Sequence, residues 1–330
     1  MGPTGRYWQI AAALVTAAFT AAHATAQPGQ PATYPSKPVR LVVGTPPGTP
    51  PDVGARVIAD RLAVALGQPV VVENRPGAAS TIGLAAVAKA EADGHTLGVM
   101  SMPATVAPSL VSKVPYDTAQ DLAPVRQIAW TSNLLVVRTQ GKLVSLAELV
   151  AAAKARSGQL TYASGGFGTP AHLAAELFKQ RAGVDIRHVP FNGALAGVSA
   201  VLGEQVDMMF ATAPAVAGHI KSDRLRPLAA SGPARLAMFP EVPTMTELDI
   251  AEMDVRDWVG IVAPAATPKP VIVRITAEVA QALAQPEVRE RLATLGMDPA
   301  DSGPDAFGQL IRAEIVRWAK VVRDAGIKAD

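Results

Sequence analysis

Continuous apolar runs alternate with segments of helical periodicity through the first part of the chain. The run VRLVVG (residues 39–44) is typical of a strand buried on both faces. In the segment after it, apolar residues recur at helical spacing: Val53, Val57, Ile58, Leu62 and Leu66. PVVVENRPG, TIGLAAVAKAEADG and TLGVMSM then repeat the order strand, helix, strand. This βαβαβ order predicts parallel strands with helices on both faces of the sheet.

The alternation restarts at SNLLVVR (residues 132–138), which predicts a second α/β unit. Its segments follow one another as SLAELVAAAKARSG, QLTYAS, HLAAELFKQRAG, VDIRHVPF, ALAGVSAVLGEQV and DMMFAT. After RLRPLAAS and a proline-rich connection, WVGIVAP predicts one more strand, and two helices are expected to close the chain. The last helix should have one apolar face, formed by Phe307, Leu310, Ile311, Ile315, Trp318 and Val322.

Composition narrows the possible functions. The chain has 330 residues, 49% of them hydrophobic and 18% charged, which is enough for about two domains with large cores. With 30 Lys and Arg against 28 Asp and Glu, no strong positive field favours a nucleic-acid partner. The absence of cysteine excludes disulfides, thiolate chemistry and cysteine-type zinc sites. His95, His172, His188 and His219 are scattered without metal-site spacing, so neither a metal nor a cofactor is expected.

The N-terminus has the order of a secretory signal. Arg6 precedes the apolar run IAAALVTAAFTAA, and Ala24 and Ala26 then supply the small residues of a cleavage site after Ala26. The alternative is a membrane anchor, but the run is short and rich in alanine. We therefore expect a signal peptide over residues 1–26, a flexible leader over residues 27–33, and export of the mature protein to the periplasm.

Several segments between the start of the mature chain and its C-terminus match one family: YPSKPVRLVV, LGQPVVVENRPGA, IGLAAVAKAEADGHTL, VPYDTAQDLAPV, LTYASGGFGTPAHLAAELF and WVGIVAPAATP. By these segments the chain resembles the extracytoplasmic solute receptors of the tripartite tricarboxylate transporter system, the Bug-type receptors. The resemblance implies an α/β, two-lobed type II periplasmic binding protein fold. Two α/β domains would be joined by two crossover strands, with the ligand in the interlobe cleft. Lobe I would comprise residues 34–133 and 256–330, and lobe II residues 134–255.

The resemblance also implies a function without enzymatic activity. Such a receptor captures a small organic acid, commonly a carboxylate held by backbone amides and water. It delivers this ligand to a membrane permease of the tripartite carboxylate transporter type, and the receptor is expected to be a monomer. One alternative is a ligand-sensing subunit for a membrane sensor kinase. Another is an exported hydrolase.

The turn after the first strand is the first candidate for ligand binding. The family typically reads PFPPGGGTD there, whereas residues 44–52 read GTPPGTPPD. Thr49 is expected to cap the following helix, with Pro50 at its first position and Asp52 at capping-box spacing. Because Pro50 and Pro51 remove two N–H donors, the turn predicts an altered ligand rather than an inactive site. Its candidate ligand-binding residues are Thr45, Pro47, Gly48, Thr49 and Asp52.

The loop SGGFGTPAHL is the second candidate, since Thr169 and Pro170 again begin a helix. The family usually has Asn in place of Phe167 and two serines in place of Pro170 and Ala171. Phe167 is either an apolar wall for the ligand or a packing residue. His172 is either a structural histidine or a ligand contact. The candidate ligand-binding residues of this loop are Ser164, Gly166, Phe167, Gly168, Thr169 and His172.

Three further segments supply candidate contacts through the resemblance. Ser101 and Met102 follow the third strand and match a loop that faces the cleft. PFNG replaces the family's PYKG, so Phe191 and Asn192 would contact the ligand without a positive charge. Ala211 stands where the family commonly has Asp, which argues against recognition of an amino group.

Two enzymatic or cofactor-binding alternatives have weaker support. GFGTPA is a GxGxxA pattern between a strand and a helix, which would open a dinucleotide site. The acidic residue of such a site should end the next strand, but Asp185 lies near the start of VDIRHVP. The sequence contains no GxSxG, HExxH or P-loop motif. A Ser-His-Asp group formed only in space stays open at this level.

Overall fold

The computed structural model of the chain describes residues 34–327, which contain ten strands, ten α-helices and one short 3-10 helix at Thr246–Leu248. The strands are β1 (Val39–Val43), β2 (Val70–Asn74), β3 (Thr96–Ser101), β4 (Leu122–Arg138), β5 (Thr161–Ser164), β6 (Arg187–Pro190), β7 (Met208–Thr212), β8 (Leu225–Ala230), β9 (Arg256–Pro264) and β10 (Met297–Pro299). The helices are α1 (Pro50–Leu66), α2 (Thr81–Ala88), α3 (Pro103–Leu110), α4 (Leu146–Ala155), α5 (Pro170–Ala182), α6 (Ala194–Leu202), α7 (Ala213–Lys221), α8 (Lys269–Ala284), α9 (Pro286–Thr294) and α10 (Pro304–Asp324). The expected signal peptide and leader lie outside the described residues.

The strands form one mixed sheet in the order β2-β1-β3-β9-β4-β7-β5-β6, and β8 and β10 also pair with β4. β1 pairs parallel with β2 and β3, and β5 pairs parallel with β6 and β7. These are the two parallel α/β units that the alternating pattern predicts. The long strands β4 and β9 run antiparallel to each other and to their other neighbours. The two parallel units are therefore joined through an antiparallel centre.

Strand β4 belongs to both halves of the sheet. Its first part, up to Ser132, pairs with β9, while its last part, from Asn133, pairs with β7 and β8. The chain crosses again near Ser231, whose N–H donates to the Asn133 carbonyl and whose carbonyl accepts the Val255 N–H. The Ser231 hydroxyl accepts the Asn133 N–H and donates to the Val255 carbonyl. These crossings belong to the two-lobed α/β fold expected from the sequence, and the residue limits of the lobes stay a prediction.

Two apolar clusters fill the space between the sheet and its helices. Leu41 and Ile261 are fully buried in a cluster that helices α1, α8 and α9 cover. Phe178 and Phe210 belong to a second cluster, which continues through Trp258 to helices α3 and α10. Helices therefore cover the sheet in both halves, and this packed core supports the loops at the strand ends.

The end of the chain differs from the prediction of two closing helices. Three helices follow β9, because Gln285 adopts an extended conformation (φ −69°, ψ 130°) between α8 and α9. A residue that precedes proline is pushed out of the helical region, and Pro286 follows here. Within residues 34–327, no helix is both long and apolar enough to cross a membrane.

Candidate functional site

A cavity of about 310 Å³ lies where the loops after β1, β3, β5, β6 and β7 meet the centre of the sheet. Because these loops come from both halves of the sheet, the cavity is an interlobe cleft. Its volume is at the small end of the range for ligand pockets, which suits a small molecule. Six of the residues predicted from the sequence line it: Thr45, Thr49, Ser101, Thr169, Asn192 and Ala211.

The other predicted residues do not line the cleft. They are Pro47, Gly48, Asp52, Met102, Ser164, Gly166, Phe167, Gly168, His172 and Phe191. Most of them hold a loop in place, as the contacts below show, and their contact with a ligand stays a prediction. Within residues 34–327, no group of three or more His, Cys, Asp or Glu side chains is placed to hold a metal ion.

Asp52 holds the first loop from inside the protein. It is 2% exposed, and its carboxylate accepts the Gly48 N–H, the Asn74 amide and the Arg56 guanidinium, each at 2.9 Å. Burial raises the pKa of Asp52, but the hydrogen bonds from Arg56 and its other partners outweigh it and hold the pKa below its usual value. The capping-box prediction is wrong, because Asp52 receives the Gly48 N–H rather than that of Thr49. The Gly48 N–H is consequently unavailable to a ligand.

The two threonines of the first loop form a hydrogen-bonded chain. The Thr49 hydroxyl donates to the Pro46 carbonyl at 2.8 Å, and the Thr45 and Thr49 hydroxyl oxygens lie 2.7 Å apart. Since the Thr49 hydrogen is already used, Thr45 is the donor in that pair. Both hydroxyls therefore offer acceptor lone pairs to the cleft. Pro50 and Pro51 also line the cleft and have no N–H, so this loop is poor in donors.

The second loop begins α5 as the sequence predicts. Thr169 is the N-cap, its hydroxyl accepts the His172 N–H at 3.4 Å, and Pro170 is the first helical residue. Gly168 has a φ of 72°, and a Cβ there would lie 2.5 Å from Leu110 Cδ1, so this position requires glycine. The contact with Leu110 sets this loop against α3, a helix that follows a strand of the other half of the sheet.

His172 and His188 stack behind the second loop, with ring centroids 4.2 Å apart. The Gly168 N–H donates to His172 Nδ1 at 3.2 Å, and Phe167 packs edge-on against both imidazole rings. Burial lowers the pKa of His172 to about 3, helped by the nearby His188 and Lys179. Burial likewise lowers the pKa of His188 to about 4. These contacts favour the packing role for Phe167 and the structural role for His172.

Ser164 pairs with a histidine of this stack. Its Oγ is fully buried and lies 2.7 Å from His188 Nε2. The hydroxyl also donates to the Gly166 carbonyl and accepts the Gly166 N–H, both at 3.1 Å. A serine–histidine pair is one part of a hydrolase site. In this chain the pair braces the Gly166 turn and does not line the cleft.

Two polar residues of the cleft floor are absent from the sequence predictions. Asn133 on β4 and Asp257 on β9 line the cleft and are 1% and 5% exposed. Asp257 Oδ1 accepts the N–H groups of Met102 and Trp258, at 3.1 Å and 2.8 Å. Burial raises the pKa of Asp257 to about 7 against the lowering effect of these two bonds. The sequence contains a signal for both residues, a polar side chain in or next to an apolar strand. Asn133 lies inside SNLLVVR, and Asp257 directly precedes WVGIVAP.

Helices α1, α3, α5, α6 and α7 all begin at or next to residues that line the cleft. The positive end of a helix favours an anion, so these N-termini suit a carboxylate. Proline occupies one of the first two positions in α1, α3, α5 and α7, which removes donors there. Helix α6 begins at Ala194 after Gly193, without a proline. Its first turn is therefore the fullest set of backbone donors at the cleft.

Comparison with protein families gives a match over most of the chain. A family model described as the tripartite tricarboxylate transporter family receptor matches residues 54–327. Protein BugT of Bordetella pertussis is 40% identical over 312 residues, which cover 94% of this chain and 96% of that protein. A UPF0065 protein of Pseudomonas sp. strain P51 is 36% identical over 298 residues, which cover 90% of this chain and 89% of that protein.

Solved structures of similar proteins share the fold. An R. palustris protein with adipate has a TM-score of 0.82 and 32% identity, over 90% of this chain and 100% of that chain. MatC from Rhodopseudomonas palustris with bound malate has a TM-score of 0.78 and 32% identity, over 88% and 100%. The periplasmic binding protein BugD has a TM-score of 0.79 and 29% identity, over 90% and 100%.

Proposed function

The chain belongs to the tripartite tricarboxylate transporter receptor family, and we propose that it captures a small organic acid in its interlobe cleft. The observation that supports this most directly is the cleft itself, which has a volume of about 310 Å³ and is bordered by five helix N-termini. Helix N-termini attract anions, because their N–H groups and dipoles point outward. The similar proteins solved with adipate and malate support a ligand that carries a carboxylate.

The carboxylate would bind on the side of the cleft formed by α6. Ala194 begins this helix, and Asn192 and Gly193 line the cleft directly before it. The free N–H groups of the first helical turn and the Asn192 amide are donors, which a carboxylate requires. The remainder of the ligand would extend toward the first loop. Because that loop offers two hydroxyl acceptors and lacks N–H groups at Pro50 and Pro51, the ligand should differ at its second end from a simple dicarboxylate.

The partner and location follow from the family. We propose that the protein acts in the periplasm as a monomer and releases its ligand to a membrane permease of the tripartite carboxylate transporter type. BugD, which is solved as a periplasmic binding protein, supports this location. The alternative is a sensing role with a membrane kinase. In that case, loss of this chain would abolish the transcriptional response to the ligand and leave ligand uptake unchanged. Uptake of the bound acid by cells with and without the chain tests the transport role.

A thermal-shift screen tests the receptor role. The mature protein is unfolded, freed of carried-over ligand, refolded and mixed with di- and tricarboxylates, amino acids, aromatic acids and neutral amides. A ligand at about one hundred times its Kd should stabilise the protein by roughly 2.7 kcal/mol. Two variants that add a carboxylate to the first turn of α6 locate the site. Ala194→Glu lies in the cleft and should abolish the shift, whereas Leu195→Glu lies outside it and should retain the shift. A native protein that no compound stabilises would contradict the proposed function.

A further inference from the structure

Asp257 is the single ionisable side chain that lines the cleft within the described residues. It lies on β9, where the two halves of the sheet join, and is 5% exposed. No Lys, Arg or His between residues 34 and 327 lines the cleft. A ligand that enters therefore meets a carboxyl group and no cationic side chain.

The two oxygens of Asp257 have different surroundings. Oδ1 accepts the Met102 N–H at 3.1 Å and the Trp258 N–H at 2.8 Å, and these bonds fix the side chain on its strand. Oδ2 receives no hydrogen bond from any residue in the part of the chain that the structure describes. Oδ2 is not enclosed by the protein, so it is open to the cleft. A ligand or a water molecule is therefore expected to donate a hydrogen bond to it.

Asn133 is a second and independent sign of a ligand at this place. Its side chain lines the cleft and is 1% exposed, and its Nδ2 has no hydrogen-bond partner among residues 34–327. Thr131 pairs directly with Asp257 across β4 and β9, and Asn133 lies two residues further along β4. Residues that lie opposite each other, or two apart on one strand, share a face of the sheet. Asp257 and Asn133 thus lie on the same face of the sheet at the cleft, and each has a polar atom without a partner among the described residues.

The donors and acceptors of the cleft are divided between its two sides. On the side of the first loop, the hydroxyl hydrogens of Thr45 and Thr49 are engaged, and Pro50 and Pro51 have no N–H. Together with Asp257, this side offers mainly acceptors. The opposite side contains the proline-free start of α6 and offers backbone donors. A ligand that matches both sides has an acceptor group at one end and a donor group at the other.

We propose that Asp257 determines the specificity of the cleft by binding an ammonium group, so that the ligand is a small zwitterion. The ammonium donates to Asp257 Oδ2, the carboxylate lies at the start of α6, and Asn133 Nδ2 donates to an oxygen of the ligand. This inference rests on the proposed function, because it assumes that an organic acid binds in this cleft. In the sequence, Ala211 in place of the family's common Asp argued against recognition of an amino group. Asp257 on β9 now supplies an acidic group in the same cleft. An ionised Asp257 attracts an ammonium and repels the second carboxylate of a diacid.

Other charged groups around Asp257 are already paired. Glu314 on α10 adds to the effect of burial on the Asp257 pKa, and its own carboxylate accepts the Trp318 indole N–H. Arg256, the neighbour of Asp257 on β9, is bound to Asp254. Strand β3 and helix α3 contain no ionisable residue. On β4 the arginines pair with carboxylates outside the cleft, Arg126 with Asp301 and Arg138 with Glu204.

The pH dependence of binding distinguishes a ligand ammonium from a ligand carboxylate beside Asp257. The pKa of Asp257 is raised to about 7, so its ionised fraction increases between pH 6 and pH 8. An ammonium binds the ionised form, and the affinity of a zwitterion should rise over this range. A carboxylate at the same place would need the protonated form, and the affinity of a diacid should fall.

Isothermal titration of the refolded protein tests this with pairs of acids that differ by one ammonium group. The pairs are aspartate and succinate, glutamate and glutarate, and 4-aminobutyrate and butyrate, each measured at pH 6 and pH 8. We expect the ammonium-bearing member of at least one pair to bind about tenfold or more tightly than its partner, with higher affinity at pH 8. Asp257→Asn keeps an oxygen for the two N–H groups and should remove this preference. Asp249→Asn is the control, since Asp249 is exposed and lies outside the cleft, and it should retain the preference.

Four results would overturn the proposal, and they differ in what they imply. Tighter binding of the ammonium-free acids, or an unchanged preference in Asp257→Asn, refutes the zwitterion and leaves the receptor role standing. Affinity for a zwitterion that falls from pH 6 to pH 8 does the same, and this result comes from the wild-type protein even if the variant does not fold. If the folded wild-type protein binds none of these acids and nothing in the wider screen, the proposed function itself fails.

Discussion

Asp52 shows how a carboxylate can shape a binding loop without facing the ligand. Its three partners come from the loop, from α1 and from β2, so one side chain ties these elements together. The sequence places Asp52 at the start of a helix, where a capping role is the ordinary expectation. Its actual partners, Arg56 and Asn74, lie one turn away and on another strand. Helical periodicity does not reveal a contact between elements, which is why this network was not predicted.

Replacement of Asp52 should destabilise the protein more than replacement of an exposed acid on the same helix. Asp52→Ala removes the one buried acceptor that the Gly48 N–H, the Asn74 amide and the Arg56 guanidinium share, so we expect a loss of about 2–3 kcal/mol in the free energy of unfolding. Asp60→Ala is the control, since the Asp60 side chain is 75% exposed. It should change stability by less than about 0.5 kcal/mol. Urea denaturation at pH 7.5 measures both, and equal losses would contradict the role given to Asp52.

The stacked histidines should make stability depend on pH. The folded-state pKa of His172 is about 3 and that of His188 about 4, below the ordinary 6.5. Their contribution to stability is therefore complete above pH 6.5, because both are neutral in either state. As the pH falls below 6.5, the unfolded chain takes up protons that the folded chain does not. Each histidine then removes up to about 1.4 kcal/mol per pH unit.

His172→Gln isolates the contribution of one ring. Urea denaturation of the wild type and the variant at pH 7.5, 6.0 and 5.0 gives the two dependences on pH. The variant should lose less stability than the wild type between pH 6.0 and pH 5.0, since one titrating group is gone. Other groups, including Asp257, titrate in both proteins and cancel in the comparison. Parallel curves for the two proteins would show that His172 is not held neutral by the fold.

At the scale of helices and strands, the prolines at the starts of four helices have the largest effect on the cleft. α1, α3, α5 and α7 all have proline in one of their first two positions. Proline fits the start of a helix, so folding is not impaired, but a donor is lost where an anion would bind. The prolines of α1 and α5 were recognised in the sequence. Those of α3 and α7 were not, and they leave α6 as the donor-rich helix.

Restoring one donor in α1 should strengthen the binding of a second carboxylate, at the end of the ligand that faces the first loop. Pro51→Thr introduces an N–H at the second position of α1, with the residue type that the family usually has there. A hydrogen bond to a charged group contributes about 1.5 kcal/mol or more. Affinity for succinate or glutarate, whose second carboxylate would extend to the first loop, should therefore rise about tenfold, while affinity for butyrate should not change. Pro286→Thr is the control, because it changes a helix-starting proline in α9 away from the cleft. Titration calorimetry compares the two, and an equal affinity in all three proteins would mean that α1 does not contact the anion.

The alternating pattern predicted the order of strands and helices well, and it failed where proline interrupts a helix. Helix α3 was missed because Pro103 begins it and Pro108 lies inside it, so PATVAPSL has no readable helical period. Gln285 and Pro286 divided one expected helix into α8 and α9. In the site, local signals predicted Thr169 as an N-cap. They could not predict Asp257, whose importance depends on the contact of β9 with β3 and β4.

At the scale of the whole molecule, a small set of buried hydrogen bonds lies where the chain crosses between the two halves. Ser231 is fully buried and contacts both Asn133 on β4 and Val255 before β9. All three segments pass between the halves of the sheet at this point. A closing motion of the lobes would bend the chain near these bonds, as it does in hinged binding proteins. Asn133 also lines the cleft, so the crossing point and the binding site share a residue.

Ser231→Ala should therefore affect stability and ligand affinity together. The variant leaves the Asn133 N–H and the Val255 carbonyl without the hydroxyl, so the free energy of unfolding should fall by about 1–3 kcal/mol. The position of Asn133 also becomes less fixed, and affinity for the bound acid should fall with it. Ser222→Ala is the control, because it removes an exposed hydroxyl at the end of α7, where it bonds only its own helix. Denaturation and titration calorimetry measure both effects. A variant that loses stability but binds as tightly as the wild type would show that the crossing point does not shape the cleft.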